Sequence, residues 1–171
     1  MKSLLLMRHA KSSWDDGSLA DIDRPLAARG REAANIVTGE LVRRGWIPDH
    51  VLVSPSRRTR ETWAILEARL STRPEVQFLR ELYEASASRL LETLRRLPEE
   101  ARTVLVIGHN PSIEELAKGL SGARSSRAAL AVLQRKFPTA AVARFTVRGK
   151  WVDLRRDHAM LTDFVRPKDR H

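Results

Sequence analysis

Short apolar runs alternate with helically spaced apolar positions along most of the chain. The runs of strand length lie at residues 4–7, 51–53, 76–79 and 104–107. The apolar faces of the intervening segments are Ala34, Val37, Leu41 and Val42; Trp63, Leu66 and Leu70; Leu90, Leu91, Leu94 and Leu97; and Ile113, Leu116, Ala117 and Leu120. Because strands and helices alternate, the pattern predicts an α/β fold: three layers, α/β/α, around a mostly parallel central sheet.

The C-terminal part of the chain follows a different pattern. Residues 141–147 and 151–154 are apolar segments separated by Arg148-Gly149-Lys150, a sequence typical of a tight turn. We therefore expect a hairpin that adds an antiparallel edge to the sheet. The chain has 171 residues and shows neither an internal repeat nor a linker, so we expect a single domain over residues 1–171.

Composition excludes several kinds of chemistry. The chain has no cysteine, which rules out disulfides and any thiolate nucleophile. Its apolar start, residues 4–7, is too short for the apolar region of a signal peptide or for a membrane span, so we expect a cytoplasmic protein that does not bind membranes. Histidines and carboxylates lack metal-ligand spacing, and neither a metal nor another cofactor is expected.

The chain is strongly basic, with 31 Lys plus Arg, 21 Asp plus Glu and a net charge of +10. A positive field attracts phosphate groups, acidic protein surfaces and nucleic acid, and charge alone does not choose among them. The basic residues are scattered along the chain, with a basic tail of Arg166, Lys168 and Arg170. Most are expected to lie on solvated faces.

Two apolar runs end in a histidine. The first run leads into Arg8-His9, and the fourth leads into Gly108-His109-Asn110. Ligands of open parallel sheets bind at the carboxyl ends of the strands, so we expect both histidines at one sheet edge as a catalytic pair. The decisive expectation is that the rings of His9 and His109 lie a few ångströms apart. His50, His158 and His171 do not follow a predicted parallel strand, and structural or solvent-facing roles are expected for them.

Three motifs resemble the signatures of the histidine phosphatase (phosphoglycerate mutase-like) superfamily. They are Arg8-His9-Ala10, the segment 54–62 with sequence SPSRRTRET, and Gly108-His109-Asn110. The segment Asp23-Arg24-Pro25-Leu26 with Gly30 also resembles these proteins. Length and compact layout are most similar to the SixA-type phosphohistidine phosphatases. The resemblance covers nearly the whole chain, and the order and strand placement of the motifs make it specific.

The resemblance implies a role for each motif. His9 would be the nucleophile that forms a phosphohistidine and then yields it to water. Arg8, Arg58 and His109 would bind the phosphoryl oxygens, because arginine donates paired hydrogen bonds to phosphate. The family spacing selects Arg58, four residues after Ser54, and adjacent helical residues point about 100° apart, so Arg57 is expected at the rim.

The proton donor has two candidates. Glu81 occupies the position at which the superfamily often carries a catalytic glutamate, and Glu84 is the nearby rival. A plain surface role for Glu81 stays open, because SixA-type proteins do not all keep this carboxylate. A phosphorus–nitrogen bond also needs less help from an external acid.

Other positions near the first motif follow the family only in part. Lys11 and Ser12 stand where relatives contact phosphate, so both are candidate substrate-binding residues. Ala10 replaces the usual glycine, and Asp15 stands where mutases tend to have asparagine. A carboxylate beside phosphate would repel it, so Asp15 is expected to turn away, which makes mutase activity less expected.

The resemblance implies that the substrate is phosphohistidine or a related phosphomonoester or phosphoramidate, and a phosphorylated protein is favoured because the short chain leaves no long insertion over the pocket. A small phosphorylated metabolite, such as a sugar phosphate or nucleotide, is the alternative within the same superfamily. A basic nucleic-acid-binding module is the alternative outside enzymes, but the chain shows no basic stripe or recognised binding motif. We therefore expect no nucleic-acid partner. The sequence does not specify an oligomeric state.

Overall fold

The computed structural model describes residues 1–168, so Arg170 and His171 lie outside the described part of the chain. The strands within residues 1–168 are β1 (Lys2–Arg8), β2 (His50–Val53), β3 (Glu75–Phe78), β4 (Thr103–Gly108), β5 (Val142–Val147) and β6 (Ala159–Val165). They form one sheet in the order β3-β2-β4-β1-β5-β6. The first four strands pair in parallel, and β5 and β6 add an antiparallel edge.

Helices cover both faces of the sheet. They are α1 (Ala28–Arg43), α2 (Arg57–Glu67), α3 (Ala87–Arg95), α4 (Ser112–Leu120) and α5 (Arg127–Arg135). Three of them begin at a serine whose side chain accepts a backbone N–H of the first turn, which favours a helix start there: Ser56, Ser86 and Ser126. Gly45, with a φ of 72°, follows the end of α1 in the left-handed conformation that commonly ends a helix.

Alternation along β1 separates two apolar cores. Leu4 and Leu6 pack with the α3, α4 and α5 side, whereas Leu5 and Met7 pack with the α1 and α2 side. A strand buried on both faces needs an unbroken apolar run, which is what the sequence provides. The three-layer α/β/α fold with a mostly parallel sheet and an antiparallel edge is confirmed.

The predicted hairpin partner is wrong. Trp151–Asp153 is a 3-10 turn, and β5 pairs instead with β6. The Trp151 side chain is fully buried, with its ring N–H donated to the Ala101 carbonyl at 2.9 Å, so this segment packs under α3 as an anchor. His158 consequently precedes a strand and does not follow one. The sequence pattern also missed α5, which begins at the Ser126 cap.

The parallel strands bring their carboxyl ends to one edge of the sheet. Arg8 at the end of β1 is in register with Gly108 at the end of β4, and Val53 of β2 is in register with Ile107. The residues that follow these strands therefore meet at one rim. Among the helices of residues 1–168, none has the length and apolar character needed to cross a bilayer.

Candidate active site

His9 and His109 meet at this rim. Their ring centroids are 5.2 Å apart, and both side chains are buried. The backbone N–H of His9 donates to the Gly108 carbonyl at 3.0 Å, and this hydrogen bond extends the β1–β4 pairing as far as the two histidines. The decisive expectation of the sequence analysis, that the two rings lie together, is confirmed.

His9 is held as a neutral imidazole. Its Nδ1 lies 2.6 Å from the Ala10 carbonyl oxygen, and since a carbonyl only accepts, Nδ1 carries the proton. Burial lowers the pKa of His9 to about 3, with the charges of His109, Arg58 and Arg8 acting in the same direction. At neutral pH the remaining nitrogen, Nε2, thus keeps its lone pair, the state required of a nucleophile.

His109 is also neutral in this site. Burial lowers the pKa of His109 to about 4, and the positive charge of Arg58 lowers it further. Its Nε2 lies 2.8 Å from the hydroxyl of Ser54, the residue that follows β2. The two imidazoles therefore add no positive charge to the site at neutral pH, and His109 is neutral when an anion enters.

Arg8 lies between the sheet rim and the segment that precedes β5. Its Nη1 donates to the Phe137 carbonyl at 3.0 Å. Burial lowers the pKa of Arg8 and the negative charge of Glu114 opposes this, but an arginine keeps its charge in proteins. Its Nε is buried and has no acceptor among the residues that the structure describes.

Arg58 is buried and Arg57 is exposed, in agreement with the family spacing that selects Arg58. The guanidinium of Arg58 donates to the backbone carbonyl of Asp21 at 2.7 Å and to its carboxylate at 3.0 Å. The Tyr83 hydroxyl donates to the same carboxylate. Like Arg8, Arg58 has a buried Nε with no acceptor within residues 1–168. Arg58 is therefore held on one side by Asp21.

Asp21 stays ionised in this arrangement. Hydrogen bonds from Tyr83 and from Arg58 hold the pKa of the Asp21 carboxyl well below its usual range. Burial, together with the Asp21 charge, raises the pKa of Tyr83. The Tyr83 ring stands edge-on to His109, with centroids 5.5 Å apart. This carboxylate positions Arg58 and is not available as a proton donor at neutral pH.

These side chains surround a cavity of about 610 Å³, within the size range of small-molecule sites. Lys11 and Ser12, both predicted to bind substrate, line it. Ser12 also accepts a hydrogen bond from Arg24 at 2.7 Å. Trp14 lines the cavity too, and it is 75 % exposed, with the Arg24 guanidinium 3.5 Å from its ring centroid.

The two candidate proton donors differ in position. Glu84 lines the cavity, whereas Glu81 is not among the lining residues. Both carboxylate oxygens of Glu81 accept from Arg96 at 2.9 Å. Asp15 is exposed and is also not among the lining residues, which agrees with the expectation that it turns away from the phosphate site. The catalytic role of Glu81 stays a prediction, and the geometry favours its rival.

Asp21, Tyr83 and Thr139 also line the cavity, and the sequence did not predict them as site residues. Asp21 lies in the polar segment between β1 and α1, where no periodic pattern marks a functional residue. Within residues 1–168, no group of three or more His, Cys, Asp or Glu side chains could hold a metal ion.

Two neutral histidines and two charged arginines at the carboxyl edge of a doubly covered sheet define an enzyme site for phosphoryl groups. Comparison with known proteins agrees. Residues 4–88 match the family model of the histidine phosphatase superfamily, branch 1. An uncharacterized protein of Mycobacterium tuberculosis is 36 % identical over 165 residues, which cover 95 % of this chain and all of that protein.

Solved structures show the same relationship. A candidate phosphohistidine phosphatase SixA from Nakamurella multipartitia superposes with a TM-score of 0.83 at 32 % identity, covering 98 % of this chain and 96 % of that one. A candidate SixA from Agrobacterium tumefaciens gives 0.79 at 27 % identity, covering 96 % and 97 %. The chain belongs to the histidine phosphatase superfamily, branch 1, and its activity class is that of a phosphatase.

Proposed function

We propose that this protein hydrolyses phosphohistidine in proteins through a covalent phosphohistidine intermediate on His9. The observation that carries the proposal is the pairing of a neutral His9 with His109, 5.2 Å apart, between Arg8 and Arg58. The names of two similar structures, candidate SixA phosphohistidine phosphatases, support the choice of substrate.

The first step transfers the phosphoryl group to the enzyme. The Nε2 lone pair of His9 forms a bond to phosphorus while the bond from phosphorus to the substrate nitrogen breaks. The electron pair of the broken bond stays on the freed nitrogen of the leaving imidazole, and because the other ring nitrogen already carries a proton, the ring leaves as a neutral imidazole. Arg8 and Arg58 balance the charge on the phosphoryl oxygens. The phosphoryl group carries two negative charges, so its binding favours protonation of His109.

The second step releases the product. A water oxygen attacks the phosphorus of phosphorylated His9, the bond to Nε2 breaks, and inorganic phosphate forms. His9 returns to its neutral state, which burial favours. Because Nδ1 stays bonded to the Ala10 carbonyl, the ring keeps one orientation through both steps.

Asp21 provides no acid for the cleavage of an ester. Asp21 is ionised and bonded to Arg58, so it cannot protonate an alkoxide leaving group. A nitrogen leaving group can take up its proton before the bond breaks and depends less on an acid of the enzyme. Small phosphate esters remain the alternative substrate class.

The test is a substrate panel: a phosphohistidine peptide, phosphoramidate, sugar phosphates and 3-phosphoglycerate, each with and without a chelator. We expect the highest kcat/KM on the peptide and no effect of the chelator. His9→Ala should abolish turnover and covalent labelling by radioactive phosphohistidine. Arg8→Ala, Arg58→Ala and His109→Ala should each cost about 10² to 10³ in rate, the scale of losing one preorganised donor.

Arg57→Ala is the matched control, since Arg57 is the exposed neighbour of Arg58 and pairs with Glu61 at 3.1 Å. It should keep most of the activity. Preference for a sugar phosphate would assign the protein to the small-molecule alternative. Labelling that survives in His9→Ala would refute the nucleophile. No activity on any substrate, together with salt-sensitive binding of nucleic acid at a Kd below micromolar, would favour the alternative of a nucleic-acid-binding module.

A further inference from the structure

A second concave surface adjoins the catalytic cavity. It has a volume of about 550 Å³, and its lining includes Arg135, Lys136, Arg166 and Lys168. No Asp or Glu of the described residues lines it. We refer to the surface formed by these four residues and Thr139 as the basic groove.

The charge of the basic groove is largely uncompensated. Arg135, Lys136 and Lys168 are exposed, and within residues 1–168 none of the three side chains has a hydrogen-bond or carboxylate partner. Elsewhere on the surface, arginines such as Arg96 pair with a carboxylate. Like charges held together in a concavity repel one another, and an anion that binds there relieves the repulsion.

The basic groove and the cavity share a wall. Thr139 lines both of them. The same backbone segment is fastened to the active site, because the Phe137 carbonyl accepts from Arg8 and the Ala140 N–H lies 3.1 Å from the carbonyls of both Arg8 and His9. The groove therefore has a fixed position relative to the phosphoryl site.

We propose that the basic groove binds an acidic segment of the protein substrate, next to the residue whose phosphoryl group enters the cavity. The proposal rests on the proposed function, because it assumes that the substrate is a protein. An extended chain advances about 3.3 to 3.6 Å per residue, so a few residues span the distance from one concavity to its neighbour. Aspartate and glutamate side chains supply the carboxylates that match three lysine and arginine heads.

Such contacts act on substrate binding and not on the chemical step. Complementary charges outside the reacting centre raise the association rate and lower KM, and salt weakens them. The groove cations do not line the cavity, so kcat should not depend on them. The hydrolysis rate of a small substrate that fills only the cavity should not change when the groove residues are substituted.

The test compares two triple variants that each remove three positive charges. The groove variant is Arg135→Gln, Lys136→Gln and Lys168→Gln. The control variant is Arg73→Gln, Arg102→Gln and Arg127→Gln, three exposed arginines that line neither concavity. Because the total charge is the same in both variants, a general effect of the positive field would appear equally in each. Circular dichroism melting confirms that both variants fold.

The first readout is binding, measured by fluorescence anisotropy at physiological salt. The probes are a labelled unphosphorylated peptide with a central histidine flanked by Asp and Glu, and its analogue with Asn and Gln. We expect the wild type and the control variant to bind the acidic peptide about tenfold more tightly than the neutral one. The groove variant should lose this preference.

The second readout is kinetic. On the phosphorylated acidic peptide, KM should rise about tenfold in the groove variant with kcat unchanged, and phosphoramidate hydrolysis should be the same in all three proteins. Equal losses in both variants, no preference for acidic flanks, or tighter groove-dependent binding of a single-stranded oligonucleotide would overturn the inference. Failure on phosphohistidine with intact anisotropy results would instead refute the proposed function.

Discussion

At the scale of single residues, the carboxylates in and near the cavity differ in the groups that they contact. Asp21 is fixed as an anion by Tyr83 and Arg58, and Glu81 is engaged with Arg96 outside the cavity. Glu84 lines the cavity, and its backbone φ of 59° is unusual for a residue other than glycine. Of the two candidates from the sequence, Glu84 is thus the one that lines the cavity, and its role as proton donor stays a prediction.

We predict that Glu84→Gln slows the hydrolysis of a sugar phosphate about 10- to 100-fold more than that of phosphoramidate, because only the ester needs an external acid. Glu81→Gln is the matched control and should leave the ratio of the two rates unchanged. Steady-state kinetics on both substrates measures the ratio. An ester-specific defect in Glu81→Gln alone would instead support the family position and would exclude Glu84.

The sequence predicted His9 and His109 because each follows an apolar run directly, after β1 and β4. It predicted Arg58 through the resemblance to the histidine phosphatase superfamily, whose motif places an arginine four residues after the serine, here Ser54. Asp21 and Tyr83 could not be predicted in this way. Their hydrogen bond joins loops 62 residues apart, and no periodicity encodes the path of such loops.

At the scale of elements, α1 fixes the loop that follows β1. A methyl group at Gly30 would lie 2.1 Å from the Lys11 carbonyl oxygen, which accepts from the Ala27 N–H at 2.9 Å. Only a glycine lets the helix approach the loop so closely. The helix therefore holds Lys11 at the edge of the cavity.

Gly30→Ala should displace this loop, lower the free energy of unfolding by about 1 to 3 kcal/mol and raise KM. The control is Gly119→Ala in α4, where a methyl group would meet nothing within 4 Å. There the better helix propensity of alanine should stabilise the protein by about 0.5 to 1 kcal/mol. Urea unfolding and steady-state kinetics measure both effects. If both variants gained stability, the close approach of α1 would be wrong.

Element prediction succeeded where burial imposes a simple pattern. Strands β1, β2 and β4 are buried on both faces, and their apolar runs were recognised as strands. The segment Trp151–Asp153 was wrongly predicted as a strand. Its apolar Trp151 is buried because it anchors a 3-10 turn against the core. In β6 several outward positions are only half-buried, which weakens its apolar pattern.

At the scale of the whole molecule, two buried neutral histidines couple folding to pH. The pKa of His9 is lowered to about 3 and that of His109 to about 4, whereas an unfolded chain titrates histidine near 6.5. Below about pH 6.5 the unfolded chain binds protons that the native state does not, so stability falls as the pH decreases through this window. Above it, the full stability is present.

We predict that the wild type loses roughly 2 to 5 kcal/mol more stability between pH 7 and about pH 4.5 than His9→Asn/His109→Asn, in which both titrating groups are absent. The other ionisable groups are common to both proteins, so the difference isolates the two imidazoles. Urea titrations at a series of pH values measure it. Parallel pH profiles of the two proteins would contradict buried neutral rings.

Trp14 gives the molecule an optical property of practical value. The indole lies at the cavity with three quarters of its surface in solvent, against the Arg24 guanidinium, whereas Trp63 and Trp151 are sealed in the interior. We expect emission from Trp14 to change when a ligand occupies the cavity and emission from the two sealed indoles to stay the same. The native fluorescence of the protein should therefore report ligand binding without a dye, even in a variant that has lost turnover.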